Sequence, residues 1–227
     1  MKSRLILCTS LTASSCVGMA KKAALALTLG SDLVEFRIDR LHESSASQII
    51  KHLSPFFDRA VVTVRPVSEG GAFMGSERRR IELIKELVSR SPTFIDLELR
   101  TIESNEGLID SLKGLRKIVS WHSTSGTPSL SKLRERAAGA RKHGGLVKIV
   151  TTARKLQDCC RVSSLYGPEN YQGLVAFCLG EFSLISRIFA LQLGCPLMYC
   201  SLPGEPLARG QVSIEVMKQL RELVERD

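Results

Sequence analysis

A lysine interrupts an apolar run at Leu146-Val147-Lys148-Ile149-Val150. An ammonium buried there without a partner would cost roughly several kcal/mol, so Lys148 needs a reason to be there. One reason is a neighbouring carboxylate, such as Glu35 or Asp96. The other is chemistry: desolvation and nearby cations favour a lysine's neutral amine, the nucleophile that condenses with carbonyl carbons to form an imine. Comparable misfits close other apolar runs. One ends Glu35-Phe36-Arg37-Ile38-Asp39, and another ends at Arg65, with Glu69-Gly70-Gly71 just beyond it. Asp96 and Glu98 alternate with Leu97 and Leu99, and a further run ends Ser120-Trp121-His122. His122 reads either as a satisfied core or capping histidine or as a proton-transfer group. The second reading gains from its place where a strand turns into a loop before Thr127-Pro128. Arg187 follows Ile185-Ser186 and reads equally as a surface arginine or an anion ligand. Together, a lysine nucleophile, one histidine, orienting carboxylates and three arginines make a coherent Schiff-base lyase site for an anionic substrate, without metal or cofactor.

The elements that position these groups repeat along the chain. Short β-rich apolar runs occupy Leu5–Thr9, Leu33–Arg37, Val61–Arg65, Phe94–Leu97, Lys117–His122, Leu146–Val150, Leu174–Cys178 and Pro196–Cys200. Their starts lie roughly 22 to 33 residues apart, the length of one strand, one helix and two loops. Between them the periodicity predicts amphipathic helices over Glu77–Ser89, Leu130–Lys142, Phe182–Leu193 and Ile214–Glu225. Strands apolar throughout are those of a parallel sheet covered on both faces. Eight such units, no GxGxxG turn after the first strand and no linker predict an α/β fold, a single (β/α)8 TIM barrel spanning 1–227 as one catalytic domain. In that fold the chemistry belongs at the C-terminal ends of the strands, where the misfits collect.

The 227 residues carry 32 lysines and arginines against 23 aspartates and glutamates, a formal charge of +9 that fits an anionic partner. The positive charge is scattered. Its one dense run, Arg78-Arg79-Arg80, shares a helix with Glu77, Glu82 and Glu86 and reads as a solvated face. No zinc-finger spacing or RNA-recognition signature accompanies it, which argues against nucleic acid. The seven cysteines form no CxxC pair and read as reduced, buried thiols of a cytoplasmic protein. The apolar stretch around Leu5-Ile6-Leu7 is shorter than the roughly 7–15 residues of a signal peptide, and no stretch reaches membrane-span length.

In register and over nearly the whole chain, these motifs closely resemble type I 3-dehydroquinate dehydratase. The pieces are Leu33-Val34-Glu35-Phe36-Arg37-Ile38-Asp39, Thr63-Val64-Arg65 with Glu69-Gly70-Gly71, Ile95-Asp96-Leu97-Glu98, and Ser120-Trp121-His122 with Thr127-Pro128. Val147-Lys148-Ile149, Ser186-Arg187 and Gly210-Gln211 complete the set. The resemblance implies a shikimate-pathway lyase converting 3-dehydroquinate to 3-dehydroshikimate and water. It implies Lys148 as the imine lysine, His122 as proton acceptor and donor, and Glu69 as the group that orients His122. Glu35, Arg37 and Arg65 would hold ring hydroxyls, Arg187 the carboxylate, and Gln211 would close over it. It also suggests a homodimer, with no membrane or nucleic-acid partner.

Four departures from the family pattern stand out. Leu179 replaces the usual methionine beside the lysine. Leu207-Ala208-Arg209-Gly210-Gln211 replaces Ser-Ala-Pro-Gly-Gln, which removes a substrate-binding serine and adds a cation able to attract the substrate. Tyr199 and Cys200 compete for the family's aromatic position. The chain begins directly with the first strand, with no room for the N-terminal hairpin that plugs the barrel floor in many bacterial members. Two rivals differ in kind. A class I aldolase also carries its lysine on strand six, but Glu181 and Glu205 would repel the phosphate of its usual substrates. A non-catalytic basic barrel would bind nucleic acid with steep salt dependence.

Overall fold

The computed structural model of the chain describes residues 4–42, 45–105, 107–167 and 173–225. Among them are eight strands: β1 (Ile6–Leu11), β2 (Leu33–Arg37), β3 (Ala60–Thr63), β4 (Phe94–Glu98), β5 (Lys117–Ser123), β6 (Leu146–Thr152), β7 (Leu174–Leu179) and β8 (Leu197–Cys200). Helices α1 (Cys16–Thr28), α2 (Ala46–Leu53), α3 (Glu77–Val88), α4 (Leu99–Glu103), α5 (Leu108–Ser111), α6 (Leu130–Arg141), α7 (Leu156–Ser163), α8 (Ser183–Gln192) and α9 (Ile214–Glu225) fill the connections. Serine side chains start several of them: Ser15, Ser45, Ser76 and Ser129 each accept a hydrogen bond from a backbone N–H in the first turn. Such caps each contribute about 1 kcal/mol.

All strand pairs are parallel, and the order β7-β6-β5-β4-β3-β2-β1-β8 curls the sheet into a (β/α)8 barrel, as the periodicity predicts. Among the described residues no ladder joins β7 to β8; side chains satisfy the backbone there instead. Tyr166 OH donates to Ala176 O and accepts from Ala176 N, Ser186 Oγ accepts from Cys178 N, and Arg187 Nη1 donates to Tyr199 O. The rings of Phe177 and Tyr199 meet across this seam with centroids 6.5 Å apart. Leu7, Val34, Val62, Ile95, Ile149 and Met198 are fully enclosed between strands and helices.

The expected strand positions hold to within a residue or two. β3 stops at Thr63, so Arg65 stands just past its end. Six of the seven cysteines are buried and all seven are free thiols. One expectation is overturned: Arg80 does not belong to a solvated face. Arg78 and Arg79 project into water, but Arg80 shares the buried stripe of α3 with Leu83, Ile84 and Leu87 and has no accessible surface. Its fork is consumed by Glu77, Glu98 Oε2 (2.7 Å), Val64 O and the Thr101 hydroxyl. Among the described residues no helix is long and apolar enough to cross a membrane.

Candidate active site

Strand alternation sends every second side chain into the barrel, and at the C-terminal ends these side chains are polar. In-register pairs Ser10↔Glu35, Thr63↔Asp96, Glu98↔Ser120 and Ser120↔Lys148 put the misfit residues side by side. Above them opens a cavity of about 150 Å³. Glu35, Arg37, Arg65, Glu69, His122, Lys148, Arg187 and Gln211 all line it, so one space unites the residues singled out in the sequence.

Lys148 is 5% exposed. Its Nζ lies 3.0 Å from Asp96 Oδ2 and 3.8 Å from Glu35 Oε1, with the Tyr199 ring centroid also 3.8 Å away. The carboxylate pairing considered for this lysine is therefore present. Burial works against Asp96's charge, but Arg65 and Lys148 outweigh it and hold the carboxyl well below the usual range. Arg65 also reaches Glu98 Oε1 and Ser120 Oγ, both at 2.7 Å, and Glu98 is held from behind by Arg80. The result is a chain of alternating charge: Lys148, Asp96, Arg65, Glu98, Arg80, Glu77. Glu35 accepts from the hydroxyls of Ser10 (2.6 Å) and Thr63 (2.9 Å). Arg37 grips Asp39 through two N–H donors, and Asp39 also accepts from Ala72 N, which ties β2 to the loop bearing Glu69. That loop needs Gly71, since a Cβ there would stand 2.0 Å from Arg65 O.

His122 Nδ1 lies 3.2 Å from Glu69 Oε2, which also accepts from His122 N at 3.1 Å. In the tautomer that donates Nδ1–H to Glu69, Nε2 keeps its lone pair. Burial, then the charges of Arg65 and Lys148, push the imidazole well below its usual pKa, so it is neutral at pH 7. Burial raises Glu69 to about 7 even against Arg65, so this pair gains or loses a proton near neutrality.

Arg187 is 1% exposed, which settles its placement against the surface reading. It donates to Ser183 Oγ (3.1 Å) and Tyr199 O (2.7 Å) and rests on the Phe177 ring at 4.2 Å. Among the described residues no carboxylate pairs with it. Burial drags its pKa down to about 10, which still leaves it charged at neutral pH. Gln211 accepts from Leu207 N and donates to Cys200 O, folding the loop after β8 over the cavity. Gly210 makes that fold possible, with φ of 77° and a backbone so close that a Cβ would meet Gly180 O at 2.4 Å.

Other residues come from the structure. Ser10 lines the cavity; its signal is a polar residue closing an apolar strand in step with Cys8. Tyr199, not Cys200, faces the cavity, because the register Cys8↔Tyr199 turns Cys200 outward to Thr9. Leu179 and Leu207 are both at the wall. Arg209 pairs with Glu181 at 2.5 Å on the exposed outer side of the loop. Among the described residues no group of His, Cys, Asp and Glu is placed to hold a metal ion.

Residues 7–227 match the family model described as type I 3-dehydroquinase. The chain is 36% identical over 204 residues to a 3-dehydroquinate dehydratase of Thermococcus gammatolerans, covering 88% of this chain and 92% of that protein. It is 35% identical over 203 residues to that of Archaeoglobus fulgidus, with 89% and 93% covered. A solved 3-dehydroquinate dehydratase of Geobacillus kaustophilus superposes with a TM-score of 0.90 at 16% identity, over 100% of this chain and 96% of that one. With nearly all of its length matched, the chain belongs to the type I 3-dehydroquinase family.

Proposed function

We propose that Lys148 forms the imine, that His122 moves the protons, and that Arg187 binds the substrate carboxylate. The function is 3-dehydroquinate dehydratase, a hydro-lyase reaction giving 3-dehydroshikimate and water in the shikimate pathway, with Schiff-base chemistry general to the family. The observation that carries the residue assignment is Arg187, a buried guanidinium with no carboxylate partner among the described residues, lining the same cavity as a buried lysine. A buried cation without a partner is expensive, and a substrate carboxylate supplies the missing charge in a geometry the fork matches.

In this reading Lys148 Nζ attacks the ring ketone, and condensation releases the carbonyl oxygen as water. The protonated imine then withdraws electrons while His122 Nε2 removes the neighbouring C2 proton, and the C2–H electrons become an enamine. Collapse of the enamine expels the C1 hydroxyl, which takes the proton from His122 and leaves as a second water. Hydrolysis of the imine frees the product and Lys148. Glu69 orients His122 and stabilises its protonated form. Glu35, Arg37 and Arg65 hold the ring hydroxyls, and Gln211 closes over the carboxylate from the last loop. No cofactor, metal, nucleic acid or membrane enters the scheme. Residues 1–227 act as one catalytic domain in the cytoplasm. A homodimer is part of the proposal, supported by apolar Leu184, Val216 and Leu223 exposed on the neighbouring helices α8 and α9. The test is the absorbance of the conjugated enone produced from 3-dehydroquinate, in the wild type and in Lys148→Met. Turnover that persists in that variant rejects the assignment.

A further inference from the structure

Imine formation changes the number of hydrogens on the Lys148 nitrogen but not its charge. Ammonium and ketone give protonated imine and water: the C–O bonds of the ketone break, a C=N bond forms, and two ammonium protons leave on the oxygen. The nitrogen keeps its positive charge and retains one N–H of three. This deepens the reading of Lys148 above and rests on it.

Before reaction the ammonium has three neighbours, Asp96 at 3.0 Å, Glu35 at 3.8 Å and the face of Tyr199 with its centroid at 3.8 Å. After reaction a single N–H can donate to only one carboxylate. Attraction to an aromatic face needs no hydrogen, because it acts between the charge and the ring quadrupole. It also discriminates by shape: a planar C=N cation can lie flat over a ring, whereas the tetrahedral carbinolamine before it cannot. We propose that Tyr199 is a catalytic residue whose ring face stabilises the planar, cationic imine of Lys148 relative to the carbinolamine. The ammonium already meets the ring before reaction, so the gain is made over the carbinolamine, and the step favoured is loss of water from that intermediate.

The ring is well placed for that task. Pairing of β8 with β1 fixes its height in the barrel, the Phe177 ring packs beside it, and Arg187 holds its backbone carbonyl at 2.7 Å. Burial first, then Glu35 and Asp96, push the phenol far above its usual pKa, so the ring stays neutral. Its hydroxyl is buried without a hydrogen-bond partner among the described residues. The ring face, and not the hydroxyl, is therefore what meets the nitrogen.

The experiment is rapid-quench borohydride trapping with 3-dehydroquinate under single-turnover conditions, with the adduct on Lys148 quantified by mass spectrometry. Wild type, Tyr199→Phe, Tyr199→Leu and Tyr199→Met are compared, with circular dichroism melts to confirm folding. Leu and Met are expected to accumulate trapped imine about three- to thirtyfold more slowly than wild type, the range of a desolvated cation–ring contact. Phe regains the ring and is expected to trap at least threefold faster than Leu; if Leu fails to fold, unbranched Met takes its place. Equal rates in the ring-bearing and ringless variants overturn the proposal. A wild-type adduct elsewhere than Lys148, or none, instead overturns the reading of Lys148 on which the proposal rests.

Discussion

Replacing Arg187 with methionine separates affinity from stability, because the two are predicted to move in opposite directions. Burial lowers the guanidinium's pKa to about 10, a displacement that at ~1.4 kcal/mol per tenfold opposes the charged side chain by about 3 kcal/mol. The depressed value means this cost is present throughout pH 6–9, where the group stays protonated. Methionine removes the cost and roughly conserves the volume beside Phe177. It leaves Tyr199 O without its donor, which costs about 1–3 kcal/mol. The net is a protein as stable as wild type or up to about 2 kcal/mol more stable. A buried arginine with a partnered carboxylate would behave otherwise, losing about 3–5 kcal/mol on truncation. Substrate binding loses a buried charge pair, about 2–5 kcal/mol, so kcat/KM falls by about 30-fold to several thousandfold. The assay pairs urea unfolding at pH 7 with enone kinetics, and adds melts with and without product. Product raises the melting temperature of wild type by mass action and leaves Arg187→Met unmoved. A variant destabilised by more than about 3 kcal/mol, or one that keeps kcat/KM within tenfold, refutes the role of Arg187 as a waiting anion site.

Four further outcomes follow from the same geometry. Glu69 titrates near 7, so kcat/KM is expected to rise with pH through about 7 as its carboxylate forms, and Glu69→Gln to lose that inflection with about a 10- to 100-fold lower plateau. Because its folded pKa is raised, Glu69 destabilises the fold progressively from the unfolded value up to about 7, so Glu69→Gln gains more stability at pH 8 than at pH 4 in urea melts. Arg80→Met takes from buried Glu98 the partner of its Oε2, leaving Arg65 on Oε1, and costs about 3 kcal/mol by denaturant unfolding, whereas Arg79→Met, at the exposed face, stays within about 0.5 kcal/mol. Gly210→Ala forces a Cβ against Gly180 O and is expected to raise KM at least threefold by lifting the loop that carries Gln211, as read in steady-state kinetics.

The barrel was legible because each of its parallel strands is buried on both faces and so writes an uninterrupted apolar run into the chain. Lys148, His122 and Arg65 stood out against those runs for the same reason. That uniform burial also hid information. When both faces are apolar, alternation does not say which residue points inward, and only the pairing of β8 with β1 decides between Tyr199 and Cys200. Arg80 lies at i, i+3, i+4 and i+7 spacing with Leu83, Ile84 and Leu87, which puts it on the buried stripe; the charge run masked that spacing, and the partner that makes the burial possible, Glu98, is eighteen residues away. The pairing of Arg209 with Glu181 likewise has no sequence signal, the two being brought close only by the fold. The side-chain stitching of the β7–β8 seam left no pattern at all, since Ser186 and Arg187 are ordinary residues for helix α8 and Tyr166 for the turn after α7.

The central claim, that Lys148 carries the imine, is tested most directly by reducing the wild-type enzyme with borohydride in the presence and absence of 3-dehydroquinate and mapping the peptides by mass spectrometry. The account predicts inactivation that survives dialysis, only when substrate is present, with the added mass on the peptide containing Lys148. Full activity after dialysis, or added mass on any other residue, contradicts it.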